Sequence, residues 1–139
     1  MGLILDTSLL IASERRRDSA GDLFRKLVHS YGSIPVALSA VSAVELTHGI
    51  YRARSEAERA RRRIFASGLF NGMRVHPVAL EVAELAGRVE GEQAALGIAI
   101  PFEDLLIGAT ALRIGFAVAT LNAKHFARIP GLSVVTPGA

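Results

Sequence analysis

A chain of 139 residues, half of them apolar, is long enough to bury one sizeable core and short enough to be a single domain over 1–139. The absence of cysteine excludes a disulfide framework and a thiolate zinc site, and no apolar run reaches the roughly 18 residues of a membrane span. A net charge of +3 and a pI near 9.9 favour a polyanionic partner, and the N-terminus lacks the basic start and cleavage site of a signal peptide, so a soluble cytoplasmic protein is expected.

Residues 2–6 carry the apolar run Leu3-Ile4-Leu5 and read as a first buried strand ending at Asp6. A short helix is predicted over 8–13, with Thr7 or Ser8 capping its first turn. Over 20–30, Leu23, Phe24, Leu27 and Val28 share one helical face, which Tyr31-Gly32-Ser33 closes. Residues 36–39 read as a second strand. The stretch 42–52 is predicted helical, with Ser42 as cap and Glu45 three positions on, the spacing of a capping box. An arginine-rich helix follows over 56–69, closed by Asn71-Gly72, and a short strand over 73–76 ends at Pro77. The helix predicted over 78–96 puts Val82, Leu85, Ala86 and Val89 on one apolar stripe and turns Glu81, Glu84 and Glu92 to water. Pro101 suits the first turn of a helix running to Ile114 and ended by Gly115. Residues 116–121 and 133–136 read as two further strands, and Phe102, Phe116 and Phe126 read as core. Short, continuously apolar strands alternating with helices are buried on both faces, so an α/β architecture is expected, a mainly parallel sheet between helix layers.

Three acids sit inside apolar surroundings on these elements: Asp6, Glu45 in Val44-Glu45-Leu46, and Asp104 before Leu105-Leu106-Ile107. None has Lys or Arg at helical pairing distance in sequence, and a buried unpaired carboxylate costs several kcal/mol unless something neutralises it. Sites in open α/β sheets form at the carboxyl ends of strands, where Asp6 and Asn122 both fall. Three converging carboxylates would ask for a shared cation. Taken singly, each has a plainer reading: Asp6 as a helix cap, Glu45 in its capping box, Asp104 against the helix dipole. Glu103 reads as solvent-facing, and His29 and His76 as structural. Glu45 and His48 have the i, i+3 spacing of a di-iron carboxylate site, but it occurs once where two are needed. Arginines cluster at Arg15, Arg16 and Arg17 and again at Arg52, Arg54, Arg59, Arg61, Arg62 and Arg63. They fit nucleic-acid contact, or a solvated face paired with Glu56 and Glu58.

Four blocks, in order along nearly the whole chain, resemble those of PIN-domain ribonucleases, in particular the small VapC-type toxins of toxin–antitoxin pairs. They are Leu3-Ile4-Leu5-Asp6-Thr7-Ser8, Val44-Glu45-Leu46 with Gly49, Pro101-Phe102-Glu103-Asp104 running into Leu105-Leu106-Ile107-Gly108-Ala109-Thr110-Ala111, and Ala119-Thr120-Leu121-Asn122-Ala123-Lys124-His125-Phe126 followed by Ile129-Pro130-Gly131-Leu132. The resemblance implies a three-layer α/β/α sandwich and endonucleolytic cleavage of RNA with Mg²⁺ or Mn²⁺. It also implies a homodimer, a heterotetramer or larger with a small VapB-like antitoxin, and inhibition by that antitoxin's tail. It assigns Asp6, Glu45 and Asp104 to the metal; Asp6 and Asp104 are then expected as direct ligands, and Glu45 either as a ligand or as the general base that aligns the attacking water. Asn122 stands where many members carry a fourth acid, and His125 at another position often acidic. Asn122 then anchors water or substrate, and three carboxylates favour one metal over two.

Thr7, Ser8 and Thr120 carry hydroxyls beside the acids and could orient them. Arg15, Arg16 and Arg52 are the candidates for holding RNA phosphates, and the antitoxin is expected on the helices over 20–30 and 42–69, which carry apolar residues beside arginines. Two other function classes compete. Phosphoryl transfer through an aspartyl nucleophile would want a second Asp two residues after Asp6, where Ser8 stands. A catalytically weakened PIN-like domain that binds RNA or protein is the alternative that Asn122 leaves open.

Overall fold

The computed structural model describes residues 1–138. β1 (Leu3–Leu5), β2 (Val36–Ser39), β3 (Arg74–His76), β4 (Ala117–Ala119) and β5 (Val134–Val135) form one sheet in the order β3-β2-β1-β4-β5, and each of the four pairings is parallel. Around it stand α1 (Thr7–Arg15), α2 (Ala20–Tyr31), α3 (Ala40–Tyr51), α4 (Glu56–Gly72), α5 (Leu80–Ala95), α6 (Phe102–Ile114) and α7 (Ala123–Phe126).

The three layers follow from the two-residue period of a strand. Leu3 and Leu5 of β1, with Ala117 and Ala119 of β4, pack on one face against Leu9 and Leu10 of α1, Leu23 and Leu27 of α2 and Phe65 and Leu69 of α4. Ile4 and Val118, between them in sequence, point to the other face, against Val82, Ala86 and Val89 of α5 and Leu105, Ile107 and Ala109 of α6. Burial on both faces is why these strands are apolar without alternation. The expected stripe on α5 is the one it buries, Leu85 partly so, while Glu81, Glu84 and Glu92 are exposed. Among the described residues no helix is long and apolar enough to cross a membrane.

Several boundaries differ from the sequence reading. Helix α3 begins at Ala40, because the Ser39 hydroxyl accepts from the Val41 amide (3.1 Å). Ser42 is therefore no cap and Glu45 closes no capping box. Helix α1 starts at Thr7 and runs two residues past Ser13, whose hydroxyl donates to Asp18 (2.8 Å) in the following turn. Helix α4 continues through Gly72 instead of stopping before it. There glycine serves packing, since a Cβ at position 72 would stand 2.6 Å from the Phe24 ring of α2. Strand β4 is shorter than expected, because Thr120 and Leu121 turn to other partners described below. Of the phenylalanines assigned to the core, Phe126 is fully buried and Phe116 packs against it, but Phe102 is 62% exposed at the first position of α6.

Candidate active site

The strand order reverses beside β1: the chain moves from β1 to β2 and β3 on one side, then returns to lay β4 and β5 on the other. The crevice at the carboxyl ends of β1 and β4 is the switch point at which open α/β sheets build their sites. Asp6 follows β1 directly and is buried, 3% exposed. Its backbone occupies the N-cap position of α1, yet its side chain makes no capping bond. Instead its Oδ2 accepts from the Ser8 hydroxyl (2.6 Å) and from the Thr120 hydroxyl just past β4 (2.8 Å). The Asp6 amide donates to the Ala119 carbonyl (2.9 Å), so backbone and side chain both lock to β4. Helix capping does not account for this aspartate.

Thr7, also buried, donates to Glu45 Oε1 (2.7 Å) and stands 2.9 Å from the Ser42 hydroxyl. A threonine has one hydroxyl proton, so with that proton on Glu45 the second contact runs from Ser42 to Thr7. Glu45, on the second turn of α3, is thereby tied to the first residue of α1. Asp104, in the first turn of α6, accepts at Oδ2 from His125 Nδ1 of α7 (2.8 Å) and keeps 15% of its side chain exposed. Asn122 is exposed; its backbone amide donates to the Thr120 hydroxyl (2.8 Å), and the Leu121 amide donates to Ser8 (3.2 Å). These two bonds draw the chain out of β4 and around the mouth.

The carboxylates act on one another. Burial pushes the Glu45 pKa up; the Thr7 hydrogen bond opposes this, and the charges of Asp6, Glu103 and Asp104 add to it. Burial likewise raises Asp104, Asp6 and Glu103 add to the rise, and His125 opposes it. Glu103, read from sequence as solvent-facing only, is exposed and also belongs to this acidic field. Among the described residues, no Lys or Arg pairs with Asp6, Glu45 or Asp104. Among those residues no three Asp, Glu or His side chains stand close enough together to hold a metal ion as they are placed. The donors are all carboxylate oxygens, and the charge of Asp6 adds to the rise of Glu45 and Asp104, a donor chemistry that fits a hard divalent cation such as Mg²⁺ or Mn²⁺.

Beside the site, between α1, α3 and α4, lies a cavity of about 380 Å³ lined by Ile11, Arg15, Val44, Glu45, Arg62 and Phe65 among others. His48 lines it as well, beside Glu45. Of the arginines singled out, Arg15 stands at this cavity, Arg52 is exposed, and Arg16 pairs with Asp18 (3.4 Å). Part of the α4 arginine cluster has a structural use. Arg62 donates to the Gly49 carbonyl (2.6 Å) and pairs with Glu58, while Arg59 pairs with Glu56. The sequence reading missed Ser42 and the partner of His125, because both bonds join residues remote along the chain.

The PIN domain pattern matches residues 3–132. The chain belongs to the PIN-domain family. This PIN domain is 34% identical over 136 residues to a Rickettsia felis protein named ribonuclease VapC1, covering 98% of this chain and 96% of that one. A Rickettsia bellii protein named ribonuclease VapC is 33% identical over the same length and shares. Among solved structures, the DNA-bound VapBC complex of Salmonella typhimurium contains a chain that superposes with a TM-score of 0.83 at 22% identity, over 99% of each chain. That last likeness concerns the fold, and it agrees with the parallel three-layer PIN architecture seen here.

Proposed function

We propose that this PIN domain is a Mg²⁺- or Mn²⁺-dependent endoribonuclease, the toxin of a toxin–antitoxin pair, inhibited by a small cognate VapB-like protein. The observation that carries the reading is that the charge of buried Asp6 bears on both Glu45 and Asp104, and that none of the three has a Lys or Arg partner among the described residues. Near full-length likeness to two proteins named as VapC ribonucleases supports it.

Asp6 and Asp104 would hold the ion, with Glu45 as a third oxygen donor. When bound, the ion supplies positive charge to the phosphodiester under attack and makes water a better nucleophile. Ser8 and Thr120 keep one oxygen of Asp6 engaged and so fix the direction of the other. Glu45 has Oε1 taken by Thr7, so its Oε2 has one of two uses: as the third donor to the ion or, in its place, as the base that takes the proton of the attacking water, a task its raised pKa suits. Arg15 and Arg52 hold flanking phosphates, more weakly as salt rises; Arg16 shares its charge with Asp18 and contributes less. The antitoxin's tail takes the cavity between α1, α3 and α4, whose apolar Ile11, Val44 and Phe65 stand beside Arg15 and Arg62. Helix α2, the other surface expected for it, does not line that cavity. The protein acts as a homodimer, forming a heterotetramer or larger assembly with the antitoxin.

The test is cleavage of a cellular RNA pool by purified protein with Mg²⁺, with 5′ ends mapped. Asp6→Asn and Asp104→Asn should each lower the rate by about two orders of magnitude or more, and chelation should abolish it. Wild-type rates in either variant would overturn the assignment. One observation favours a second reading: exposed, uncharged Asn122 stands in the fourth acidic place. Divalent-ion binding without cleavage of any RNA would select a PIN-like domain that binds RNA or protein without cutting.

A further inference from the structure

Asp104 has the least secure footing of the three carboxylates. Asp6 is gripped by two hydroxyls and a strand, and Glu45 by buried Thr7. Asp104 sits one turn into α6 with the charges of Asp6 and Glu103 pushing on it, and repulsion favours turning its carboxylate out to solvent. Among the described residues its one side-chain partner is His125, 21 positions later. The imidazole is itself well based. It precedes Phe126, which is fully buried, and α7 is held to the core by Phe126 and Ile129. The His125 side chain remains 43% exposed, and among the described residues Nε2 has no hydrogen-bond partner.

We infer that His125 is a positioning residue: its Nδ1–H holds Asp104 Oδ2 so that Oδ1 is the oxygen presented to the divalent ion. The inference rests on the reading of Asp104 as a metal-holding residue given above. A carboxylate with one oxygen occupied is confined to one-point ligation in a fixed direction, whereas one left unbound can rotate or chelate with both oxygens. Partners that orient metal-binding groups typically change affinity by about 10–100-fold when removed.

Two amides separate this role from a merely structural one. The side-chain nitrogen of Asn falls near the place of imidazole Nδ1, and that of Gln near Nε2. Mn²⁺ affinity would be measured by titration calorimetry and by electron paramagnetic resonance, without substrate, for the wild type, His125→Ala, His125→Asn, His125→Gln and Asp104→Asn. Thermal melts would establish that each variant is folded. Expected are an approximately tenfold loss in His125→Ala, a similar loss in His125→Gln, and recovery of most of the affinity in His125→Asn. Wild-type affinity in His125→Ala, or equal affinities in the two amide variants, would overturn the positioning role. If His125→Ala does not fold, the comparison of Asn with Gln decides alone. If Asp104→Asn binds Mn²⁺ as the wild type does, the metal-holding reading fails, and the role of His125 fails with it.

Discussion

Glu45 and Asp104 are held in a state they would leave if they could. Both are raised above the ordinary carboxylate value by burial first, then by neighbouring acids. A raised folded-state pKa means that the folded form favours the proton more than the unfolded chain does. The associated stability is therefore present below about pH 4 and lost as pH rises through the raised value. Glu45→Gln, which keeps an oxygen for Thr7, should accordingly raise the melting temperature of the metal-free protein at neutral pH. The gain should shrink toward pH 4, and added Mg²⁺ should narrow it by stabilising the wild type. A variant no more stable than wild type at pH 7 would contradict this. The three acids are legible in the sequence because a charge inside an apolar run has no cheap place in a fold. The hydroxyls that serve them are less so: Thr7 meets Ser42 across 35 positions, and Asp6 meets Thr120 across 114. Ser8 and Thr120 could be named as neighbours of acids, but Ser42 reads as a cap until Ser39 is seen to fill that place.

At the level of elements, periodicity locates the helices and sheet geometry trims their ends. The stripe on α5 is plain from spacing, and so is the stop of α6 at Gly115, which takes the left-handed conformation. The contact of α2 with α4 is hidden, because a glycine near a helix end looks like a terminator. Gly68 faces Ala20 and Gly72 faces Phe24, one turn apart on both helices, so the two run alongside each other in close approach. A Cβ at Gly68 would lie 2.7 Å from the Ala20 Cβ, an atom fixed by its own backbone. Gly68→Ala should therefore force the helices apart and destabilise the fold by about 1–3 kcal/mol, although alanine is the better helix former. Chemical denaturation would measure it, and a stabilised variant would show that the helices can separate without cost.

Across the whole molecule, the cavity between α1, α3 and α4 adjoins the acidic site and shares Glu45 with it, while its apolar wall of Ile11, Val44 and Phe65 carries none of the site's carboxylates. Catalysis and restraint should then be separable. Ile11→Asp, on the cavity wall, should weaken binding of the cognate antitoxin by about tenfold while leaving Mg²⁺-dependent RNA cleavage near wild type. Unchanged antitoxin affinity would place the partner elsewhere. The order of the strands carries one more consequence. Of the groups that fix Asp6, the Ser8 hydroxyl lies two residues on, but the Thr120 hydroxyl and strand β4 come more than a hundred residues later. Closing so long a loop comes late in folding, since local contacts form first. On a ribosome, Asp6 emerges together with Ser8 but lacks the Thr120 half of its clamp until β4 has been made and has docked beside β1. A protein proposed to cut RNA would thus lack a fully ordered site until β4 has been made.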